Sequence, residues 1–107
     1  MSSFLNSARN VYIDGSLLNA ECRRKDGTTW VKSQPLDLDR IIGNIDGHFQ
    51  WDGVNFTQSA RNIRLANDEL NLLIADLRER DQDFNNDQSI DLGSRIMNID
   101  GQLTYQK

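Results

Sequence analysis

The chain repeats itself, and that repeat limits its possible folds more than any other feature. Phe4-x-x-Ser7-Ala8-Arg9-Asn10-Val11 returns as Phe56-x-x-Ser59-Ala60-Arg61-Asn62-Ile63, and Ala20-Glu21-Cys22-Arg23 returns as Ala75-Asp76-Leu77-Arg78. Ile42-Gly43-Asn44-Ile45-Asp46-Gly47 returns as Ile96-Met97-Asn98-Ile99-Asp100-Gly101. Self-similarity of this kind marks one supersecondary unit used twice. A chain of 107 residues cannot give each copy an adequate core of its own, so repeats 1–53 and 54–107 must build one body. Where the copies differ in length, they do so in polar loops, near Asn67-Asp68-Glu69 and near Asp83.

Within each copy the pattern is that of short strands. Leu18, Ala20 and Cys22 alternate with Asn19, Glu21 and Arg23, which sets the apolar residues on one face. Leu72-Leu73-Ile74 is a continuous apolar run, compatible with burial on both faces. Lys25-Asp26-Gly27-Thr28 is a turn signal inside a hairpin from Leu17 to Gln34, and Arg80-Asp81-Gln82-Asp83 does the same work in the second copy. Asp39-Arg40-Ile41-Ile42 and Ser94-Arg95-Ile96-Met97 read as single helical turns capped by Asp39 and Ser94. Asp46-Gly47 and Asp100-Gly101 are tight turns opening the strands that end at Trp51 and Tyr105. Trp30 and Phe84, like Trp51 and Tyr105, hold equivalent places, which favours packing over ligand stacking, with Trp51 and Tyr105 expected in the core.

Charge and residue supply narrow the function. A net charge of −4 opposes a phosphate backbone, so nucleic acid is not an expected partner. No run of residues has the length and apolarity to insert in a membrane. The opening residues carry no signal-peptide pattern and Cys22 is the single cysteine, so a cytoplasmic location is expected, although a mature secreted chain would look the same. Asp81-x-Asp83-x-Asn85 begins like a calcium loop, but Asn86 stands where glycine is needed and Leu92 where a bidentate Glu is needed. One histidine, His48, and one cysteine leave no metal cluster and no thiol–imidazole pair. Neither a metal nor another cofactor is expected, and an enzyme is not. What remains is a set of planar polar groups, among them Asn44, Asp46, Asn55, Gln58, Ser59, Arg78, Arg80 and Gln82. Rigid pairs of donors and acceptors suit the vicinal hydroxyls of a neutral polyol. Turn and cap chemistry is the competing explanation for Asn and Asp.

On these residues, chiefly the doubled Ile-x-Asn-Ile-Asp-Gly and the Asn55-Phe56 that follows Trp51-Asp52-Gly53, the chain resembles the cyanovirin-N homologs, mannose-binding lectins of two tandem repeats. The resemblance spans essentially all of the sequence. It implies an all-β fold of two pseudo-symmetric halves, each a three-stranded antiparallel sheet plus a β-hairpin, with strands exchanged between the repeats. One half would comprise about 1–39 plus 94–107 and the other about 40–93. The linker at Trp51–Val54 is where such proteins exchange halves to dimerise; with Gly53 and no proline in it, a monomer is expected, the half-swapped dimer being the alternative state.

The function implied is recognition of terminal α(1→2)-linked mannose on oligomannose glycans. In the middle half the site positions would be Gly43, Asn44, Asp46, Val54, Asn55, Gln58, Ser59, Arg78, Glu79, Arg80 and Gln82. The second site would use Ser3, Asn6, Ser7, Arg23, Lys25, Asn98, Ile99 and Asp100. Gly43 and Gln58 replace acidic residues of the best-known member, which weakens the implied clamp, and Arg23 replaces another. Ala8 with Cys22, and Ala60 with Leu77, occupy the family's disulfide positions, so the resemblance is to the disulfide-free, fungal-type members. The alternative function is a structural or protein-interaction module of the same fold with decayed sugar binding.

Overall fold

The computed structural model describes residues 4–107, and within them the protein is all-β: eleven short strands and four single 3-10 turns. Strands β1 (Ala8–Asp14), β2 (Leu17–Arg23) and β3 (Trp30–Lys32) form an antiparallel sheet, with β4 (Leu36–Asp37) pairing with β2 further along. Strand β5 (Ile42–Ile45) forms a hairpin with β6 (His48–Trp51). The second repeat gives a sheet of β7 (Ala60–Leu65), β8 (Leu72–Arg78) and β9 (Phe84–Asp91), then the hairpin β10 (Ile96–Ile99) and β11 (Gln102–Tyr105).

The first sheet therefore holds a fourth piece beyond the three strands expected. Strand β9 runs unbroken where the first repeat has β3 and β4, and Pro35 stands at the break. Proline has no N–H to give the ladder, so the strand parts there and resumes at Leu36 opposite Leu18.

Burial follows the alternation on β2, where Leu18, Ala20 and Cys22 are 3% exposed or less. Asn19 departs from it: the residue is buried, and its amide donates to the Leu17 carbonyl at 3.1 Å, which satisfies one of its polar groups. The run at Leu72-Leu73-Ile74 resolves to one core face, Leu73, Ala75 and Leu77, with Leu72 and Ile74 only half-buried behind it. Phe4 and Phe56 drive two 3-10 turns that the sequence pattern did not reveal, Phe4–Ser7 and Phe56–Ser59, each burying its ring in a core that also takes Leu38, Ile42, Leu92, Ile96 and Leu103. Each such fully buried side chain contributes about 1.5–3 kcal/mol.

The other two turns fall earlier than expected, at Leu38–Arg40 and Leu92–Ser94, and their caps are Asp37 and Asp91. Those carboxylates accept from Asp39 N at 3.0 Å and Gly93 N at 2.9 Å. Ile42 and Ile96 start strands instead, because their side chains are core residues. Asp39, free of capping duty, accepts from the Thr57 N–H at 3.0 Å and from the Thr57 hydroxyl, tying two turns together.

Neither Trp51 nor Tyr105 lies in the core interior. Both are half-buried and stack on each other, centroids 5.6 Å apart, at the meeting of the two hairpins. The Tyr105 hydroxyl donates to Asp52, which also takes Arg95 Nη1 at 3.3 Å. Trp30 and Phe84 are half-buried too, and equivalent arginines cover them: Arg9 at 4.2 Å and Arg61 at 3.7 Å from the ring centres. Ala8 faces Cys22, and Ala60 faces Leu77, across β1–β2 and β7–β8; Cys22 is a buried free thiol whose pKa burial pushes up.

Candidate functional site

Each hairpin docks on the sheet of the other sequence repeat, and a cleft opens where its turn meets that sheet. Asp46 and Gly47 have φ of 49° and 86°, Asp100 and Gly101 of 48° and 93°. Positive φ at both central positions is the type I′ turn, whose twist matches the flanking strands. A Cβ at Gly47 would come within 2.8 Å of Glu79 Cγ, and one at Gly101 within 2.5 Å of Val31 Cγ2, so only glycine lets the turn seat.

Asn44 pins the first turn. Its Nδ2 donates to Ser59 Oγ at 2.8 Å and to the Arg78 carbonyl at 2.9 Å, while its Oδ1 accepts from Gly47 N at 2.8 Å. Asp46 Oδ1 accepts from Arg80 N at 2.9 Å, and Asn85 Nδ2 reaches the Gly47 carbonyl at 2.9 Å. The outcome is an open cleft of about 270 Å³ lined by Asn44, Ile45, Asp46, Ser59, Arg78, Glu79 and Arg80. Among the described residues, the side chains of Arg78, Glu79 and Arg80 form no hydrogen bond or ion pair, so their donors and acceptors stay available.

Six of the residues expected here thus line one cleft. Gly43, Val54, Asn55, Gln58 and Gln82 do not. Gly43 packs on the linker: a Cβ would approach Gly53 Cα and Val54 N to 3.1 Å, which gives its small size a steric reason. Val54 is 60% exposed. Asn55 and Gln58 are exposed on the turn that leads into Ser59, with Asn55 at φ 62° and its carbonyl accepting from Gln58 N. Gln82, at φ 78°, turns its amide toward the Arg80 carbonyl at 3.4 Å.

The second cleft is a near copy, also about 270 Å³, lined by Ser7, Arg23, Arg24, Lys25, Gly27, Asn98 and Asp100. Asn98 Nδ2 donates to Ser7 Oγ at 2.8 Å and to the Arg23 carbonyl at 2.7 Å, and its Oδ1 takes Gly101 N at 2.8 Å. Asn6 is exposed on the turn before Ser7, Ile99 projects from the hairpin tip at 49% exposure, and neither lines the cleft; Ser3 lies outside the described residues. Arg24 and Gly27 are the residues that sequence reasoning missed. Arg24 was within reach of the alignment, since Arg23 and Lys25 match Arg78 and Arg80 and leave it opposite Glu79.

That exchange changes the electrostatics. Arg24 grips Asp100, with Nε at 3.3 Å from Oδ1 and Nη2 at 3.1 Å from Oδ2, and Lys25 N adds a third bond at 3.0 Å. The guanidinium, then the Lys25 amide, hold the Asp100 carboxyl below its ordinary range. Behind it, Asp26 is held down to about 2 by the Thr29 hydroxyl and the Thr29 and Thr28 amides. Among the described residues no three His, Cys, Asp or Glu side chains are placed to hold a metal. Forks of donors and acceptors around an open cleft can exchange bonds with hydroxyl pairs.

The CVNH domain model matches residues 4–104. A cyanovirin-N homolog of Tuber borchii is 40% identical over 106 residues, which cover 97% of this chain and 99% of that one. Among solved structures, a designed cyanovirin-N homolog lectin superposes with a TM-score of 0.86 at 45% identity, covering 98% of this chain and 100% of its own. A microvirin–mannobiose complex superposes with a TM-score of 0.80 at 30% identity, covering 98% and 99%. With its doubled Asn-Ile-Asp-Gly turns each seated on the opposite repeat, the chain belongs to the cyanovirin-N homolog family.

Proposed function

We propose that this protein binds terminal α(1→2)-linked mannose of oligomannose glycans through the cleft at Asn44, without chemical change to the sugar. The observation that carries the proposal is the division of labour there. Asn44 spends both amide protons on Ser59 and Arg78, so it holds the cleft in shape, while Asp46, Arg78, Glu79 and Arg80 leave donors and acceptors facing solvent. Vicinal hydroxyls bridge such groups two at a time. Asn55, Gln58 and Val54, on the adjoining turn and linker, supply contacts to a second sugar unit. That a relative of the same fold, microvirin, is solved with mannobiose supports the sugar class.

Each hydrogen bond gained is one lost to water, so a single site binds weakly and a branched glycan gains through effective concentration. The test is a titration of the ¹⁵N-labelled protein with α(1→2)-mannobiose. Shifts at Asp46, Ser59 and the 78–80 segment are expected. A spectrum unmoved at large ligand excess would sink the proposal and leave the structural-module reading in its place.

A further inference from the structure

The two clefts are alike in shape and opposite in charge balance. Beside the first, the turn carries Arg78, Arg80 and the three carboxylates Glu79, Asp81 and Asp83; beside the second, it carries Arg23, Arg24, Lys25 and only Asp26. In the second cleft the carboxylates are also spent. Asp100 is taken by Arg24 and the Lys25 amide, and Asp26 turns to the Thr28 and Thr29 amides and the Thr29 hydroxyl. Of the three cations only Arg24 is spent in this way. Among the described residues, the Lys25 ammonium makes no hydrogen bond or ion pair, and the Arg23 guanidinium meets only the Trp30 ring, 5.7 Å away. Two positive groups without a hydrogen-bonded or ion-paired partner thus flank an open polar cleft on a molecule whose net charge is −4, and the Lys25 charge already helps to hold down the Asp100 carboxyl there.

We infer that the cleft at Asn98 selects a pyranose carrying an anionic substituent, such as a phosphate ester or a carboxylate, while the cleft at Asn44 takes the neutral sugar. The inference rests on the carbohydrate-binding reading above but not on its linkage specificity. An acidic substituent would accept from Lys25 and Arg23 in charge-assisted bonds, stronger than those a neutral hydroxyl makes, and the guanidinium fork matches either oxyanion. At the other cleft Glu79, standing where Arg24 does, repels the same group. Arg24 matters in this scheme by neutralising Asp100, which would otherwise oppose the anion.

The experiment follows the amide spectrum of the full chain during titration with methyl α-mannopyranoside, mannose 6-phosphate, methyl glucuronide and inorganic phosphate. The expected result is that one or both acidic sugars move Ser7, Lys25, Gly27 and Asn98 with an affinity about tenfold above the neutral glycoside, an advantage that shrinks at about 0.5 M salt. Lys25→Gln, whose exposed side chain makes no hydrogen bond or ion pair to lose, should abolish most of that preference while the spectrum stays dispersed. Arg24→Glu should abolish it as well. Equal affinity for neutral and acidic sugars at this cleft would overturn the inference, and so would inorganic phosphate matching mannose 6-phosphate or a preference indifferent to Lys25→Gln. If α(1→2)-mannobiose leaves the Asn44 cleft unmoved while an acidic sugar still selects the Asn98 cleft, the mannose proposal falls and this one stands.

Discussion

Asn44 and Asn98 show how one residue type can be read two ways. Both were candidates for touching sugar, yet each spends its amide on a serine hydroxyl and an arginine carbonyl and its oxygen on a glycine N–H. Removing one leaves the N–H of a buried glycine without a partner and the turn untied from the facing sheet, so Asn44→Ala should cost about 1–3 kcal/mol, read as a lower urea midpoint. Arg80→Ala, by contrast, removes an exposed side chain; it should leave the midpoint within about 0.5 kcal/mol and weaken mannobiose binding. A midpoint unchanged in Asn44→Ala would return that residue to direct contact. Asp26 gives the pH-dependent case. Its folded pKa is depressed to about 2, so its bonds to Thr28 and Thr29 are present above the unfolded carboxylate value and are lost as pH falls through about 2. Carboxyl-carbon NMR should show that midpoint, and one near 3.9 would refute the bonding.

At the scale of elements, the hairpins were legible because Asp-Gly is a strong local signal, and strand β2 because alternation survives in one dimension, whereas the continuous apolar run of β8 left its core face for the fold to choose. Less was legible where two local devices compete. Asp37 and Asp91 end strands and cap turns at once, so the sequence placed the caps at Asp39 and Ser94. Pro35 splits one strand in two, and the 3-10 turns at Phe4 and Phe56 exist because a ring is buried, which no spacing announces. The type I′ turns carry a prediction of their own. Gly47→Ala would strain a φ of 86° and drive a Cβ against Glu79 Cγ at 2.8 Å and Asn85 Cβ at 3.0 Å. The expected loss is about 1–3 kcal/mol, seen as a lower melting temperature, with the cleft amides of Asp46 and Arg80 displaced as the turn lifts. A melting temperature like that of the parent would show that the turn seats without glycine.

For the whole molecule, the exchange between repeats sets cooperativity. Hairpin β10–β11 sits on the first repeat's sheet through Asn98 and through Leu103 N, which donates to Ser33 Oγ at 2.9 Å; hairpin β5–β6 sits on the second through Asn44 and Asn85. Separate chains 1–53 and 54–107 should therefore each give a collapsed, undispersed amide spectrum and recover dispersion only when mixed; a dispersed spectrum from either alone would refute the shared core. The linker is closed by contact as well: Gly53 would bring a Cβ within 2.8 Å of Gly43 Cα, and Asp52 holds Tyr105 and Arg95. The sequence by itself determined that one unit is used twice, that it is built of strands, that two Asp-Gly turns recur, and that Asn44, Asp46, Arg78 and Arg80 attend the first of them, because repetition, alternation and turn chemistry are local. Only the tertiary structure decided which of those residues are spent holding the clefts and which remain free, and that Arg24 silences Asp100. Whether a polar group is occupied depends on partners that lie 15 to 34 residues away at the first cleft and 75 to 91 at the second, which no pattern along the chain records.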